Sequence, residues 1–506
     1  MMNSLVLLAL ALGLTTLFGP SAHALKLQII HTNDLHSFFE GPRLATGGYA
    51  RLKTMVEAIR ENGRKQNAVT LFLDAGDFGE GSSFFMAEEG VTSLRMLDEL
   101  GVDFSVLGNH DFMFGGKKLY DQITKAKLKT KILSANLRHK KWQGLKGIIK
   151  DMDVVDTEGL RIGIFGLTTN DSHYQYYIRD TGSIKDPLDD VGDLESKAKK
   201  LGVDYLIALT HIGLEVDKKL AEKSKAIDFI VGGHSHVALP EPVLAVNKKG
   251  QQVPIVQTGA YAVAVGEAFI DIDPKTKASK LLSYKLHEIT KDVPRDEHIA
   301  HLTEEAKVSR NQILGRDYEE EIGSTTFDIG GYVAKSINAE DASCWSKKIV
   351  ELTRQVTNTD ISIHSEVLEG EGIPAGPIRY GDLIENYPHF SQFGDKGWDI
   401  STIRVNGFVL SQIINFVYLD KEKLKFYLSG VEVTHKNLIP YFKVNGKGIN
   451  WLKYYSISVP SDLIAIFLHN YPWFKGILYR KVTRTDHHYW DLLEKYVREN
   501  SPLRCD

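Results

Sequence analysis

Short apolar runs alternate with helical patterns along the chain from Leu25 onward. Residues 26–30 predict a strand, and residues 48–62 predict a helix whose apolar side chains recur at i, i+3, i+4 and i+7. These apolar positions are Leu52, Met55, Val56 and Ile59. Further apolar runs predict strands at 69–73, 104–107, 162–165, 205–209, 229–231 and 254–257, with helical candidates such as 215–223 between most of them. Strands that alternate with helices predict a layered α/β domain.

The pattern changes near residue 292. The stretch from Asp292 to Gly315 is polar and rich in charge, with helical character and no strand. The segment from Tyr318 to the end has its own apolar runs and turns, over roughly the length of one domain. A chain of 506 residues is also too long for one hydrophobic core. We therefore expect an α/β domain at 25–292, a linker helix at 293–319 and a second α/β domain at 320–506.

The first 24 residues form a separate pattern. The stretch from Leu5 to Phe18 is almost entirely apolar but too short to span a bilayer comfortably. Ala22 and Ala24 then fit the small-residue cleavage pattern of a signal peptide, although no Lys or Arg precedes the apolar stretch. The alternative is a buried N-terminal helix. We expect a signal peptide at 1–24, export to the periplasm or the medium, and no stable membrane anchor.

The net charge bears on the type of binding partner, and the two cysteines raise the question of a disulfide. A net charge of -4 over 506 residues gives no argument for binding a nucleic-acid polymer or a membrane surface, so we expect a small-molecule partner. An exported protein permits Cys344 and Cys505 to pair, but two cysteines so far apart form no disulfide framework. The sequence favours leaving both unpaired over a single bridge that holds the C-terminus.

Metal-capable side chains follow five of the predicted strands directly. The strings are Asn33-Asp34-Leu35-His36, Asp74-Ala75-Gly76-Asp77, Gly108-Asn109-His110-Asp111, Thr210-His211-Ile212-Gly213 and Gly232-Gly233-His234-Ser235-His236. In open α/β sheets, ligands bind outside the carboxyl ends of the strands, so we expect these strings at one rim. Each string alone is typical of a loop or a turn. All five at strand ends predict a metal site.

The types of these side chains indicate which metals. Carboxylate, carboxamide and imidazole groups suit divalent Mn, Zn, Co or Fe. Six or seven such ligands exceed what one tetrahedral site needs. A carboxylate can bridge two ions about 3.5–4 Å apart, the separation used for displacement at phosphorus. We therefore expect two divalent metal ions.

These strings resemble the 5′-nucleotidase family of calcineurin-like metallophosphoesterases, which includes periplasmic UDP-sugar hydrolases and 2′,3′-cyclic-nucleotide phosphodiesterases. The resemblance covers roughly residues 26 to 290 and includes Gly47-Gly48-Tyr49-Ala50-Arg51. It implies one metal held by Asp34, His36, Asp77 and His236, and a second held by Asp77, Asn109, His211 and His234. It also implies a metal-bound water as the nucleophile and gives His110 the role of stabilising charge on the substrate phosphate.

Some positions depart from the family pattern. Family nucleotidases often carry an Asp three residues after this histidine, where the chain has Met113. Met113 cannot accept the orienting hydrogen bond. His110 is therefore either held by another acceptor or less well oriented and less readily charged. The resemblance implies a nucleotide pocket in the C-terminal domain, but the phosphate-gripping Arg string is replaced by residues 364–370, with Glu366 and Glu369. A glycine-rich loop is likewise replaced by residues 456–462.

Four residues are candidates for substrate binding in the second domain. Phe390 or Phe393 would supply one ring that stacks on a base, Tyr455 would supply the other, and Arg379 could contact phosphate. The three aromatic residues fit an ordinary core equally well.

The sequence therefore predicts an exported two-metal phosphoesterase that hydrolyses nucleotide phosphoesters. A related exported phosphodiesterase or thiosulfate-ester hydrolase would use the same metal core. A metal-binding pseudoenzyme that acts as a binding protein is the alternative from another class, supported by Met113 and the missing Arg string.

Overall fold

The computed structural model describes residues 24–139, 143–330, 343–389, 397–419, 425–436, 439–470 and 479–505. Residues 1–23 of the predicted signal peptide lie outside the described residues, as do the candidate substrate-binding residues Phe390 and Phe393. Within the described part, no helix is both long and apolar enough to cross a bilayer.

The first half of the chain alternates strands and helices. Its strands are β1 (Leu25–Thr32), β2 (Val69–Asp74), β3 (Phe104–Val106), β4 (Lys131–Leu133), β5 (Leu137–Arg138), β6 (Met152–Thr157), β7 (Leu160–Thr168), β8 (Ser183–Ile184), β9 (Tyr205–His211), β10 (Phe229–Gly232), β11 (Val243–Val246), β12 (Gln252–Val256), β13 (Ala264–Ile272) and β14 (Ser279–Glu288). Its helices are α1 (Tyr49–Lys65), α2 (Val91–Leu100), α3 (Gly116–Ala126), α4 (Ser172–Ile178), α5 (Val191–Lys200) and α6 (Leu214–Lys223). Short 3-10 segments occupy Ser83–Gly90 and His110–Phe112.

These strands form two six-stranded sheets. The first has the order β14-β13-β1-β2-β3-β4, in which β1 to β4 are parallel, β13 is antiparallel to β1, and β14 is antiparallel to β13. The second has the order β11-β12-β10-β9-β7-β6, with β7, β9, β10 and β12 parallel. The strand ends that carry the metal-capable strings therefore belong to two sheets, where the sequence suggested the rim of one.

An apolar core joins the two sheets face to face. Leu27 and Leu71 of the first sheet lie in the same buried cluster as Ile162 and Ile207 of the second. Helices cover the outer faces because their apolar stripes need burial: α1, α2 and α3 pack on the first sheet, and α5 and α6 pack on the second. The layered α/β architecture predicted from the sequence is confirmed.

Helix α7 (Glu297–Leu314) follows the two sheets and lies inside the predicted linker. It begins where the Asp296 side chain accepts a hydrogen bond from Ile299 N, at 2.9 Å, and it ends at Gly315 in the left-handed conformation. Its buried residues, which include Ala306 and Arg310, face α1 and the segment Ser83–Gly90. The linker helix is therefore packed onto the first half of the chain along its length.

The second half has its own sheets and helices. Its strands are β15 (Glu321–Thr325), β16 (Ile361–Ser365), β17 (Gly376–Arg379), β18 (Asp399–Asn406), β19 (Phe426–Ser429), β20 (Val431–Lys436), β21 (Ile439–Val444), β22 (Lys447–Gly448), β23 (Tyr454–Pro460) and β24 (Tyr479–His488). Its helices are α8 (Ser343–Thr357), α9 (Tyr380–Asn386), α10 (Gly407–Leu419), α11 (Ser461–Asn470) and α12 (Tyr489–Asn500). A five-stranded sheet of order β19-β16-β23-β18-β24 is the largest in the described part of this half. A second α/β region is thus confirmed, while the exact domain bounds stay a prediction.

The two cysteines correct one expectation. Cys344 and Cys505 form a disulfide, with their Cα atoms 5.9 Å apart, so the expectation of two unpaired thiols is wrong. The C-terminal tail runs back along β15, where Leu503 N donates to Ser324 O and Thr326 N donates to Leu503 O. This pairing brings Cys505 to the start of α8. Distance along the sequence could not show that proximity.

Candidate metal centre

The loops that follow β1, β2 and β3 are locked to one another. Asp34 N donates to Gly76 O at 2.9 Å, and His36 N donates to Asp77 O at 2.8 Å. At the ends of the same strands, the buried Asp74 carboxylate accepts hydrogen bonds from Thr32 Oγ1 at 2.8 Å and Ser105 Oγ at 3.0 Å. These contacts fix the register of three strand ends. The metal-capable side chains of these loops are therefore presented on a rigid frame.

Side chains from both sheets converge at this edge. His236 Nε2 lies 3.1 Å from Asp34 Oδ1, and His211 Nε2 lies 3.0 Å from Asp77 Oδ2. His36 Nε2 lies 3.6 Å from Asp77 Oδ2 and 3.3 Å from His236 Nε2. Carboxylate oxygens and imidazole nitrogens thus lie close together in one small volume. A bound cation there would compensate the negative charge and accept the nitrogen lone pairs.

Three of the imidazoles are oriented through their Nδ1 atoms. His36 Nδ1 lies 2.8 Å from the carbonyl oxygen of Glu80, and His211 Nδ1 lies 2.7 Å from that of Ala75. His236 Nδ1 lies 2.9 Å from the hydroxyl of Tyr261. A carbonyl only accepts, so Nδ1 of His36 and of His211 carries the proton. In their neutral forms these rings present the Nε2 lone pair to the centre, as metal-binding histidines do.

Two further predicted ligands differ in their placement. Asn109 Oδ1 lies 3.0 Å from His211 Nε2, at the centre itself. The backbone N of His234 donates to the Asp34 carboxylate at 3.0 Å, and its ring packs edge-on against that of His211, with centroids 5.2 Å apart. The imidazole of His234 is therefore beside the centre, but it is outside the closest group of ligand atoms.

The donor atoms fall into overlapping groups. Among the described residues, ligand atoms lie within 4.8 Å of one another in Asp34–His36–His236, in Asp34–Asp77–His211 and in His36–Asp77–His110. Asp34, His36 and Asp77 each belong to two of these groups. Two carboxylates, a carboxamide and several imidazoles are a donor set that suits borderline divalent ions. The residues present therefore fit divalent metal ions at this edge.

The pKa values describe the charge of this cluster. Burial opposes ionisation of Asp34, but the neighbouring imidazoles lower its pKa to about 2, and they hold that of Asp77 well below its usual value against the same effect of burial. Burial lowers the pKa of His36 and of His234 to about 4. For His211, Asp77 and Asp34 outweigh burial and raise the pKa to about 10. The carboxylates are thus ionised and two imidazoles are neutral, while a cation that binds His211 would displace its proton.

The backbone at the site is strained. Five of the seven predicted ligands have positive φ: Asp34 (52°), His36 (48°), Asp77 (58°), His234 (76°) and His236 (53°). The left-handed region is uncommon for residues other than glycine because the Cβ atom crowds the backbone. Sharp turns at the strand ends impose this conformation, and the predicted role as ligands would exclude glycine there.

His110 is held by a carboxylate that the sequence patterns did not reveal. Its Nδ1 lies 2.5 Å from Glu80 Oε2, and its backbone N donates to Asp77 Oδ1 at 2.9 Å. Burial opposes charge on this ring, but Asp77 and the Glu80 contact raise its pKa to about 9. Met113 is buried in a small apolar cluster with Tyr177. Of the two alternatives left open by the sequence, the structure supports another acceptor.

The described candidates of the second domain lie among structural contacts. Tyr455 is buried in the core of the five-stranded sheet region, and its hydroxyl accepts from Asn450 N at 3.0 Å. Arg379 lies at the start of α9, where its guanidinium contacts Asp382 at 2.9 Å and Glu319 at 2.5 Å. Their roles in substrate binding stay predictions without added support.

The two glutamates in place of the Arg string point inward. Glu366 accepts from Tyr427 Oη at 2.9 Å and pairs with Lys425 at 3.3 Å. Glu369 lies 3.1 Å from His364 Nε2 and accepts from Ser346 Oγ. Both side chains are buried. Burial raises the pKa of Glu369, which favours its neutral form.

Comparison with known proteins agrees with this geometry. The profile of the calcineurin-like phosphoesterase family matches residues 27–238. The 5′-nucleotidase of Mus musculus is 32% identical over 293 residues, which are 53% of this chain and 50% of that protein. The chain thus spans about half the length of the curated relatives it matches.

Solved structures resemble the chain over most of its length. The 5′-nucleotidase precursor from Thermus thermophilus has a TM-score of 0.78 at 22% identity, and the match covers 95% of this chain and 98% of that one. A Thermus thermophilus sulfate thiohydrolase has a TM-score of 0.71 at 13% identity, with 95% of both chains covered. Identities this low establish the shared fold alone. The chain carries a calcineurin-like phosphoesterase domain at residues 27–238. Over about half of its length it is also similar in sequence to curated 5′-nucleotidases.

Proposed function

We propose that this chain is an exported, metal-dependent hydrolase of small phosphoesters, with nucleotides as the leading substrate class. The observation that carries the proposal is the convergence of Asp34, His36, Asp77, His211 and His236 at one edge of two sheets. The curated relatives are named 5′-nucleotidases, which supports the substrate class. Export rests on the signal-peptide pattern of residues 1–24.

The ligands would divide between two ions that share one carboxylate. Asp34, His36, Asp77 and His236 would hold the first ion, and Asp77, Asn109, His211 and His234 would hold the second. The contacts that fix Nδ1 of three of these histidines support the assignment. When bound, two such ions polarise a phosphoester and lower the pKa of a water. The protein contributes the fixed geometry and the charge of the site.

His110 would act on the substrate itself. An imidazolium that donates a hydrogen bond to a phosphoryl oxygen stabilises charge that develops in the transition state. The raised pKa keeps His110 protonated at neutral pH, and the contact with Glu80 fixes its ring. Burial of the surroundings strengthens this interaction because the local dielectric is low.

The metal proposal is tested with one ligand variant and one matched control. Metal-free protein would be titrated with Mn²⁺, Zn²⁺, Co²⁺ and Fe²⁺, and elemental analysis should show up to two ions per chain. Asp77→Asn should reduce the binding of both ions and abolish turnover. Asp228→Asn is the control, because Asp228 accepts from Leu206 N at 2.8 Å and precedes β10, at the opposite end of that strand from the site. Full metal content and activity in Asp77→Asn would refute the assignment.

The substrate proposal is tested with a panel of phosphoesters. AMP, a UDP-sugar, a 2′,3′-cyclic nucleotide, a phosphodiester and an aryl phosphate would be compared with one metal. Metal-dependent turnover of any of them supports the hydrolase. Nucleotide binding without turnover would instead support a pseudoenzyme that acts as a binding protein.

A further inference from the structure

We propose that Glu80 is the positioning residue for His110, and that its second carboxylate oxygen links this positioning to His389 in the C-terminal half. The proposal rests on the proposed function in one respect: His110 is taken to act on the substrate. The contacts among the three side chains are independent of that function.

Glu80 occupies a buried position between two imidazoles. Its side chain is 1% exposed. Oε2 lies 2.5 Å from His110 Nδ1, and Oε1 lies 3.4 Å from His389 Nδ1. A buried carboxylate is costly unless its oxygens are paired. Each oxygen of Glu80 therefore faces an imidazole, one from each half of the chain.

The backbone holds Glu80 in this position. The carbonyl oxygen of Glu80 lies 2.8 Å from Nδ1 of the predicted ligand His36, and Gly79 N donates to Asp111 Oδ1 at 2.9 Å. Glu80 itself has a φ of 45°, in the left-handed region. The strained turn after β2 thus points this carboxylate at His110.

The contact fixes which ring atom of His110 meets the substrate. A carboxylate accepts, so His110 Nδ1 carries the proton that is donated to Glu80. The ring geometry then directs Nε2 away from Glu80. An orienting acceptor of this kind fixes both the rotamer and the tautomer of a histidine. Glu80 therefore acts on the reaction through His110, without contact with the substrate.

His389 supplies the link to the C-terminal half. Its Nε2 lies 2.8 Å from Leu368 O, and its ring stacks on Trp398 with centroids 4.3 Å apart. Both ring nitrogens of His389 thus face acceptors, and stacking holds the plane of the ring. Docking of the C-terminal half sets the position of one partner of Glu80, and so it contributes to the orientation of His110.

A purely structural role and a positioning role give different kinetics. A positioning residue lowers kcat and leaves the binding of ground-state substrate unchanged, so KM stays close to that of the wild type. Its effect also disappears once the residue through which it acts is removed, because residues that act as a unit are not additive. A residue that only supports the loop would still lower activity when His110 is absent.

The test compares Glu80→Gln, His110→Ala and the double variant. We expect Glu80→Gln to lower kcat by about 10–100-fold, the range for partners that orient a ligand or catalytic group. We expect His110→Ala to lower kcat by about 10²–10³-fold. The double variant should match His110→Ala alone, with KM and metal content unchanged throughout. Glu89→Gln is the control, since this exposed glutamate of the 3-10 segment Ser83–Gly90 pairs with Lys118 on the surface. Additive losses in the double variant, or metal loss in Glu80→Gln, would overturn the proposal.

The link to His389 has its own comparison. His389→Ala should lower kcat in the wild-type background by less than Glu80→Gln does, and it should have no further effect in the Glu80→Gln background. A further loss in that background would show that His389 acts independently of Glu80 and would overturn the link.

A second readout does not depend on activity. In metal-free protein, the proton on His110 Nδ1 should give a downfield ¹H NMR resonance that is absent in His110→Ala and lost or shifted in Glu80→Gln. Wild-type protein without any metal-dependent turnover would defeat the proposed function while this resonance still reported the contact. A resonance unchanged in Glu80→Gln would defeat the positioning role, whatever the activity.

Discussion

Replacing Gly108 with alanine would drive a methyl group into Asp77, the carboxylate predicted to bridge two metals. A Cβ atom at residue 108 would lie 2.0 Å from Asp77 Oδ1, 2.6 Å from its Cγ and 2.5 Å from its backbone N. Rotation of the Asp77 side chain would relieve the first two contacts but not the third. The backbone of one of the two loops must therefore move.

The size of this movement sets the expected effect. Non-bonded atoms in contact lie about 3.5 Å apart, so atoms of Asp77 must retreat by roughly 1 Å or more. A misplacement of about 1 Å in an active site can lower activity by about 100-fold. Crowding in a packed interior also lowers the free energy of unfolding by about 1–3 kcal/mol. We expect Gly108→Ala to lower kcat/KM by about 100-fold and to weaken metal binding, although no ligand is changed.

The assay measures metal content, kcat/KM on an aryl phosphate, and urea unfolding. Gly192→Ala is the matched control because a Cβ there meets nothing within 4 Å. Gly192 lies in the first turn of α5, so this control should leave activity unchanged and add up to about 1 kcal/mol of stability. Wild-type metal content, kcat/KM and stability in Gly108→Ala would refute the packing of Gly108 on Asp77.

Three other outcomes follow from buried groups and from the second half of the chain. Burial and the nearby Glu385 raise the pKa of Glu371 to about 8, so the folded state favours its protonated form and the free energy of unfolding falls as pH rises from about 4.5 to 8. Glu371→Gln should remove this loss, which raises the free energy of unfolding by on the order of a few kcal/mol above pH 8 and leaves it unchanged near pH 4. The control Glu222→Gln changes an exposed residue and should show no such trend in pH-dependent unfolding. Cys505→Ser should lower the free energy of unfolding by about 2–5 kcal/mol, and a reductant should lower the Tm of the wild type but not of the variant. The guanidinium of Arg379 is engaged by Asp382 and Glu319, so turnover of AMP should not exceed that of an aryl phosphate with the same metal, and a preference for AMP of a hundredfold or more would contradict this.

Local patterns predicted the elements that carry the site. The helix expected at 48–62 spans Tyr49–Lys65, and the strand expected at 205–209 spans Tyr205–His211. Both depend on periodicity within one element, which a single sequence contains. The five metal-capable strings were predictable for the same reason, since each lies at the end of a strand.

Long-range pairings were not predictable in this way. Strand β13 pairs antiparallel with β1, and its burial depends on a partner from the other end of the domain. Glu80 is an acidic residue in a loop, and nothing in its local sequence indicates the contact with His110. The disulfide likewise depends on the return of the C-terminal tail along β15. In each case the deciding neighbour is distant in sequence, and no local pattern encodes it.

The predicted ligands that adopt the left-handed conformation expose this scaffold to a particular kind of mutation. A residue other than glycine in this conformation is destabilising by about 1–3 kcal/mol, and Asp34, His36, Asp77, His234 and His236 all adopt it. Glycine at any of these five positions would relax the backbone and remove a predicted ligand in the same step. A laboratory screen for heat resistance alone would therefore enrich variants that dismantle the centre, and thermostable descendants of this chain should be sought only under simultaneous selection for turnover.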